Sequence, residues 1–168
     1  MTTLYAQPYD ISATGFYFRS ADEFTSKATR AVNGFGDPVE EFEVQFIDGD
    51  DLDCVLAGAW ALYQSNYADY LQAVEDWAES EKIAFIIAVG ECGYRFDPKT
   101  DGPGDFDVDL YAVDSLRDLA EQFADEGLFG EIPAPLVHYI DYDAIARDLA
   151  FDYSMTDIAG TRYAYRCA

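Results

Sequence analysis

The sequence predicts an α+β protein, elongated and built from three small units. These are an N-terminal antiparallel sheet with a helix (1–51), a central helical unit (52–104) and a C-terminal antiparallel sheet with helices (105–168). Three observations carry this. Stretches of period two lie on either side of the chain's middle, at 40–47 and 106–112. The residues between them repeat at helical spacing. Turn-rich breaks at 33–38 and 90–104, the second with Pro98, Gly102 and Pro103, punctuate the series.

In chain order, Leu4 to Ala6 and Gly15 to Arg19 read as short strands, Phe16 and Phe18 alternating with Tyr17. Ser20 or Asp22 caps a helix running to about Val32. Glu40 to Ile47 alternates Phe42, Val44 and Phe46 against Glu41, Glu43 and Gln45, a strand with one acidic face. A helix is expected over Leu52 to Gln64. A second, Tyr67 to Glu79, sets Tyr67, Tyr70, Leu71, Val74, Trp77 and Ala78 on one face, with Asp69, Gln72, Asp76 and Glu79 on the other. Ile83 to Val89 suits helix or strand, and Ser80 with its helical surroundings favours helix.

Phe106, Val108, Leu110 and Ala112 then alternate with Asp107, Asp109 and Tyr111, a strand with carboxylates on one face. Asp114 to Asp125 is a helix with Asp114, Asp118, Glu121 and Asp125 in one stripe and Leu116, Leu119, Ala120 and Phe123 opposite. Gly127 and Gly130 stop it. Pro133 and Pro135 fit the first turn of the next element, whose apolar residues are Leu136, Val137 and Ile140. Asp141 or Asp143 caps a last helix with Tyr142, Ile145, Ala146 and Leu149 on its apolar side. Phe151 to Asp157 and Arg162 to Cys167 form two strands around a turn at Ala159-Gly160.

Composition limits function. Of 168 residues half are hydrophobic and 16% aromatic, which marks a folded chain, yet 33 acids against 10 bases leave a net charge of −23. Self-repulsion at that charge favours an extended body. Direct nucleic-acid binding is excluded, because phosphates require Lys and Arg. The expected partner is basic. The three cysteines lack metal or redox spacing, and their odd number argues against a secreted disulfide framework. The N-terminus does not resemble a signal peptide and the apolar run 83–89 is too short for a membrane, so a cytoplasmic protein is expected.

Catalytic signatures do not emerge. The acidic runs at Asp48 and Asp97 fail the calcium-loop pattern at Leu52 and Asp53, and at Lys99 and Val108. His138 has no partner at catalytic spacing and reads as packed or hydrogen-bonded. Arg147 is expected to pair with Asp148 or Asp143. Neither an enzyme nor a bound cofactor or metal is expected.

What remains is one-signed charge. Duplex DNA carries a charge every ~1.7 Å, whereas a helix with one acid per turn carries one every ~5.4 Å. Several acidic elements together are needed to approach the phosphate density. The candidates are Asp69, Asp76, Glu79, Asp105, Asp107, Asp109, Asp114, Asp118, Glu121, Asp125 and Glu126.

The stretch 130–149 is more specific. Gly130, Glu131, Ile132, Pro133, Leu136, Tyr139, Ile140, Asp141, Tyr142, Ala144, Arg147, Asp148 and Leu149 stand in an ungapped run that closely resembles the signature of the ArdA-type antirestriction proteins. Looser likeness extends to Asp114-Ser115-Leu116, to Phe123-Ala124, and to Glu43-Val44-Gln45 with Asp48. The resemblance implies an acidic DNA mimic, of the kind associated with mobile elements, that inhibits type I restriction-modification enzymes by occupying the DNA-binding channel of their specificity and modification subunits. An acidic module for another basic regulatory protein is the alternative. It also implies a homodimer, with Val108, Leu110, Tyr111 and Val113, or the signature helices, as interface candidates.

Overall fold

A computed structural model describes residues 1–167. Two small three-stranded antiparallel sheets, one near each end of the chain, are combined with helices in a mixed α+β fold. The chain divides into two compact units, Met1–Phe106 and the residues from Asp107 onward.

The first unit opens with β1 (Thr3–Pro8) and β2 (Phe16–Phe18), and β3 (Phe42–Asp48) adds to the other side of β1, giving the order β2-β1-β3. The period-two pattern of β3 is realised: Phe42 and Val44 are buried while Glu43 and Gln45 face solvent. Gly15 enters β2 where a Cβ would lie 2.5 Å from the Ala6 carbonyl oxygen, so only glycine fits. Helix α1 (Ala21–Ala28) begins where expected, the Ser20 hydroxyl accepting the Glu23 N–H at 3.2 Å. It ends before Val32, because Val32 is drawn into an antiparallel bridge with Pro38. Phe24 packs between Phe18 and Tyr67, at ring-centroid distances of 5.0 and 4.5 Å.

Helices α2 (Asp51–Trp60), α3 (Tyr67–Asp76) and α4 (Glu79–Phe85) follow, and α4 passes into a π-helical stretch, Ile86–Glu91. The apolar run 83–89 is therefore helical, but its second half is wound more loosely, with the Cys92 N–H reaching back to the Ile87 carbonyl at 2.9 Å. Helix α2 stops four residues before Gln64. Ala61 turns left-handed at φ +51°, and the Gln64 side chain pairs with backbone instead. Its Oε1 accepts the Phe42 N–H at 2.8 Å and its Nε2 donates to the Glu40 carbonyl at 2.9 Å. The interior of these helices is aromatic, with Trp60, Tyr70 and Phe85 buried.

One member of the acidic run 48–53 is internal. Asp53 is 4% exposed and accepts from Lys82 Nζ at 2.8 Å and from Thr2 Oγ1 at 3.2 Å. Lys82 also donates to the Val74 carbonyl at 2.9 Å, and the Tyr70 hydroxyl donates to the Asp53 carbonyl at 2.8 Å. A charge removed from water is tolerated here because every polar neighbour is satisfied.

In the second unit, β4 (Val108–Ala112), β5 (Ser154–Ile158) and β6 (Thr161–Cys167) form a sheet of order β4-β6-β5. Helices α5 (Leu116–Asp125) and α6 (Tyr142–Leu149) pair with each other. Leu119, Phe123, Tyr153 and Ala164 make the core, with Tyr111, Val113, Leu116, Leu149 and Met155 packed around it. The helix-facing side of β4 is that of Tyr111, which meets Phe123 edge-to-face at 5.2 Å, so Asp109 shares the side that carries this core contact. At the β5–β6 hairpin both turn residues are left-handed, Ala159 at φ +50° and Gly160 at φ +83°.

Candidate protein-binding surface

The α5 stripe differs from its sequence reading at one end. Ser115 caps the helix, its hydroxyl accepting the Asp118 N–H at 3.2 Å and donating to the Asp118 carboxylate at 2.6 Å. Asp114 therefore lies before the helix, and the helical stripe is Asp118, Glu121 and Asp125. After it comes a Schellman stop: the Gly127 N–H (φ +77°) bonds the Ala124 carbonyl at 3.1 Å and the Leu128 N–H bonds the Phe123 carbonyl at 2.9 Å.

Not all the candidate acids are free. Arg117 pairs with Glu121 at 3.1 Å and with Asp143 at 3.0 Å, and lies 5.9 Å over the Tyr142 ring. Asp143, then Glu121, raise its guanidinium above the usual arginine range. Asp109 is bound by Arg166, whose Nε lies 2.8 Å away and whose guanidinium covers Tyr153 at 5.3 Å. Asp109 raises the Arg166 guanidinium in turn, and burial raises the Tyr153 hydroxyl. The spacing of Arg117 and Glu121, i and i+4 on one helix, signals the first pair. The second joins residues far apart in sequence and has no local signal.

The other candidates lie at the surface, most of them exposed. Asp114, Asp118, Asp125 and Glu126 are exposed in the second unit, Glu126 accepting from Gln122 Nε2 at 2.8 Å, and Asp107 is also exposed. In the first unit Asp76, Glu79 and Asp105 are exposed and Asp69 is half-buried. Asp105 accepts the Gly102 N–H at 2.7 Å. Further exposed acids, Glu40, Glu41, Glu43, Asp48, Asp50 and Asp51, line the approach to β3 and its end. The period-two pattern of 40–47 had already shown that face to be acidic.

Placement of these charges is not dictated by helix stability. Helix α3 ends in Glu75-Asp76 and α5 in Asp125-Glu126, and neither carries a base of its own in its last turn, although the Lys82 ammonium reaches the Val74 carbonyl near the end of α3. An acid at a helix C-terminus opposes the macrodipole by about 0.3–1 kcal/mol at low ionic strength.

The signature stretch divides in two. Gly130 turns left-handed at φ +85°. The following 3-10 helix, Ala134–Tyr139, contains no buried residue: Leu136 and Tyr139 are exposed, as are Glu131, Pro133 and His138. His138, expected to be packed or hydrogen-bonded, is not packed. The closely spaced prolines favour a short 3-10 segment too brief to offer a continuous apolar face. The second half is structural. Asp141 Oδ1 accepts the Ala144 N–H at 2.9 Å, and Tyr142, Ala144 and Leu149 are half-buried on α6. Arg147 and Asp148 are exposed, and it is Arg117 rather than Arg147 that takes Asp143. Of the interface candidates, Tyr111 and Val113 pack into the unit's own core, while Val108 and Leu110 lie on the opposite face of β4.

This is a small acidic α+β protein with carboxylates displayed at strand and helix surfaces. No helix among the described residues is long and apolar enough to cross a membrane. The family model described as antirestriction protein (ArdA) matches residues 16–162. The chain belongs to this family of antirestriction proteins. A search of curated proteins finds no match to it.

Proposed function

We propose that the protein is a DNA mimic that occupies the DNA-binding channel of the specificity and modification subunits of a type I restriction-modification enzyme and blocks DNA binding. The observation that supports this most is the exposure of carboxylates at the C-terminal ends of α3 and α5, where their charge opposes the helix dipole. Asp69, Asp76, Glu79 and Asp105 in the first unit, with Asp107, Asp114, Asp118, Asp125 and Glu126 in the second, supply the negative field. Asp109 and Glu121 contribute less because arginines oppose them. Attraction to a basic channel is long-ranged and weakens with salt. No catalytic residue or cofactor is needed. The protein acts in the cytoplasm as a homodimer.

The test is competition. The protein is titrated into a type I methyltransferase core bound to labelled duplex DNA at two salt concentrations. Displacement that weakens as salt rises is the expected result. A folded protein that displaces nothing at either salt would redirect the search to another basic partner. Light scattering at micromolar concentration checks the dimer, and a mass equal to one chain would contradict it.

A further inference from the structure

A pocket of ≈ 200 Å³ opens on the first unit, between the end of α2, the face of α3 and the loop 96–103. That volume suits one side chain and falls below the ~300–1,000 Å³ of ordinary small-molecule sites. Its walls are rings. Trp60 and Trp77 have centroids 5.4 Å apart, and Phe96 stands 4.9 Å from Trp60 and 6.1 Å from Trp77, steeply inclined to both. Trp60 is buried, while Trp77 and Phe96 are half-buried. Asp69, Asp76 and Asp101 also line it.

The polar groups of this rim are directed from the protein's own structure. Gln72 Nε2 donates to Asp76 at 2.6 Å, and the Asp97 N–H donates to Asp101 at 2.8 Å, which fixes both carboxylates. Yet no Lys or Arg lines the pocket, and among the described residues no ion pair takes up Asp69, Asp76 or Asp101. Indole and phenyl faces attract a cation through their quadrupoles, most strongly for tryptophan. Carboxylates at the mouth add a directional charge, and a planar guanidinium satisfies both at once. An apolar ligand would leave the carboxylates desolvated, and an anion would be repelled.

We propose that this pocket receives a single cationic side chain, arginine or lysine, from the basic protein that the acidic surface engages. The proposal rests on the mimicry reading for its partner but not for its chemistry. It adds a shaped, short-range contact to a field that is otherwise diffuse.

The chain's two tryptophans, Trp60 and Trp77, both line the pocket, so it carries its own probe. The full-length protein is titrated at constant ionic strength with N-acetyl-arginine amide, N-acetyl-lysine amide and the neutral N-acetyl-citrulline amide. Tryptophan fluorescence and the two indole N–H resonances are followed. A saturable response to the cations, absent with citrulline and lost in the Asp69→Asn/Asp76→Asn variant, is expected. An equal response to citrulline, or none to either cation, overturns the proposal. A second arm addresses the partner. Asp69→Asn/Asp76→Asn should weaken displacement of DNA from the methyltransferase about three- to thirtyfold more than Asp118→Asn/Asp125→Asn, which removes the same charge elsewhere. Equal losses overturn the assignment to the partner's side chain. Failure of the unmodified protein to displace DNA would sink the mimicry reading while the amino-acid titration still decides the pocket.

Discussion

The two units of the chain are held in different ways. Among the described residues, eighteen buried hydrophobic side chains lie within Met1–Phe106 and six lie beyond it. The first unit has two aromatic clusters, one around Phe24 and one around Trp60, and a locked internal ion pair. The second relies on a core of Leu119, Phe123, Tyr153 and Ala164, bordered by the surface pairs of Arg117 and Arg166. The difference teaches where sequence constraint lies. In the first unit it falls on the interior. In the second, the first half of the signature stretch contains no buried residue, so packing alone does not account for its residue choice.

The largest effect should come from Lys82→Ala. It leaves Asp53 charged and out of water, and breaking a buried pair by removing one partner costs about 3–5 kcal/mol. Urea unfolding followed by tryptophan fluorescence reads this directly, because Trp60 and Trp77 both lie in the first unit. Unchanged stability would mean that water reaches Asp53. Leu119→Ala probes the other side of the comparison. This fully buried side chain should cost roughly 2–5 kcal/mol. If the units are energetically separate, the share of the tyrosine near-UV circular dichroism that comes from Tyr111, Tyr153 and the other tyrosines of the second unit will be lost at lower urea while the tryptophan transition stays in place. Coincident loss of both signals would show one cooperative molecule.

These contrasts also explain which parts of the fold were legible in the sequence. Strand β3 was readable because Phe42 and Val44 alternate with exposed Glu43 and Gln45, and α1 because Ser20 carries a local cap. Local rules decided both. The end of α2 was not readable, since Ala61 adopts a left-handed cap without the glycine that normally marks one, and Gln64 leaves the helix for backbone partners at 40 and 42. The inner face of β4 was not readable, because Asp109 is made tolerable beside Tyr111 by Arg166, and nothing within a few residues of Asp109 reveals it. The acidic candidates were legible as charges, but not as free or opposed charges, for the same reason.

Alkaline pH offers a smaller and more specific probe of the first unit. Burial raises the Tyr70 hydroxyl above its ordinary value, with the Asp53 charge adding to the effect. A neutral group whose folded-state pKa lies above the unfolded one contributes stability below the unfolded pKa, near 10, and that stability is lost as pH rises past it. The protein should therefore unfold progressively above about pH 10. Tyr70→Phe should cost about 1 kcal/mol at neutral pH, through loss of the bond to the Asp53 carbonyl, and should shift alkaline unfolding to higher pH. An alkaline midpoint that does not move would assign the transition to general charge repulsion.

The smallest expected effect bears most directly on function. Asp125 stands at the C-terminal end of α5, where its charge opposes the helix dipole and sits beside Glu126 in a chain of net charge −23. Asp125→Asn should raise stability by roughly 0.3–1 kcal/mol at low salt, a gain that fades as salt screens both dipole and repulsion. The same change should weaken displacement of DNA from a type I enzyme by no more than about two- to threefold, because one charge among many is lost from a shared field. A variant that is more stable and less inhibitory would show that this carboxylate is retained against the interest of the fold. If Asp125→Asn instead lowers stability, the acid has a structural partner and the dipole argument fails at this helix. If stability rises and inhibition is untouched at low salt, α5 lies outside the contact, and the acids of the first unit must supply the field.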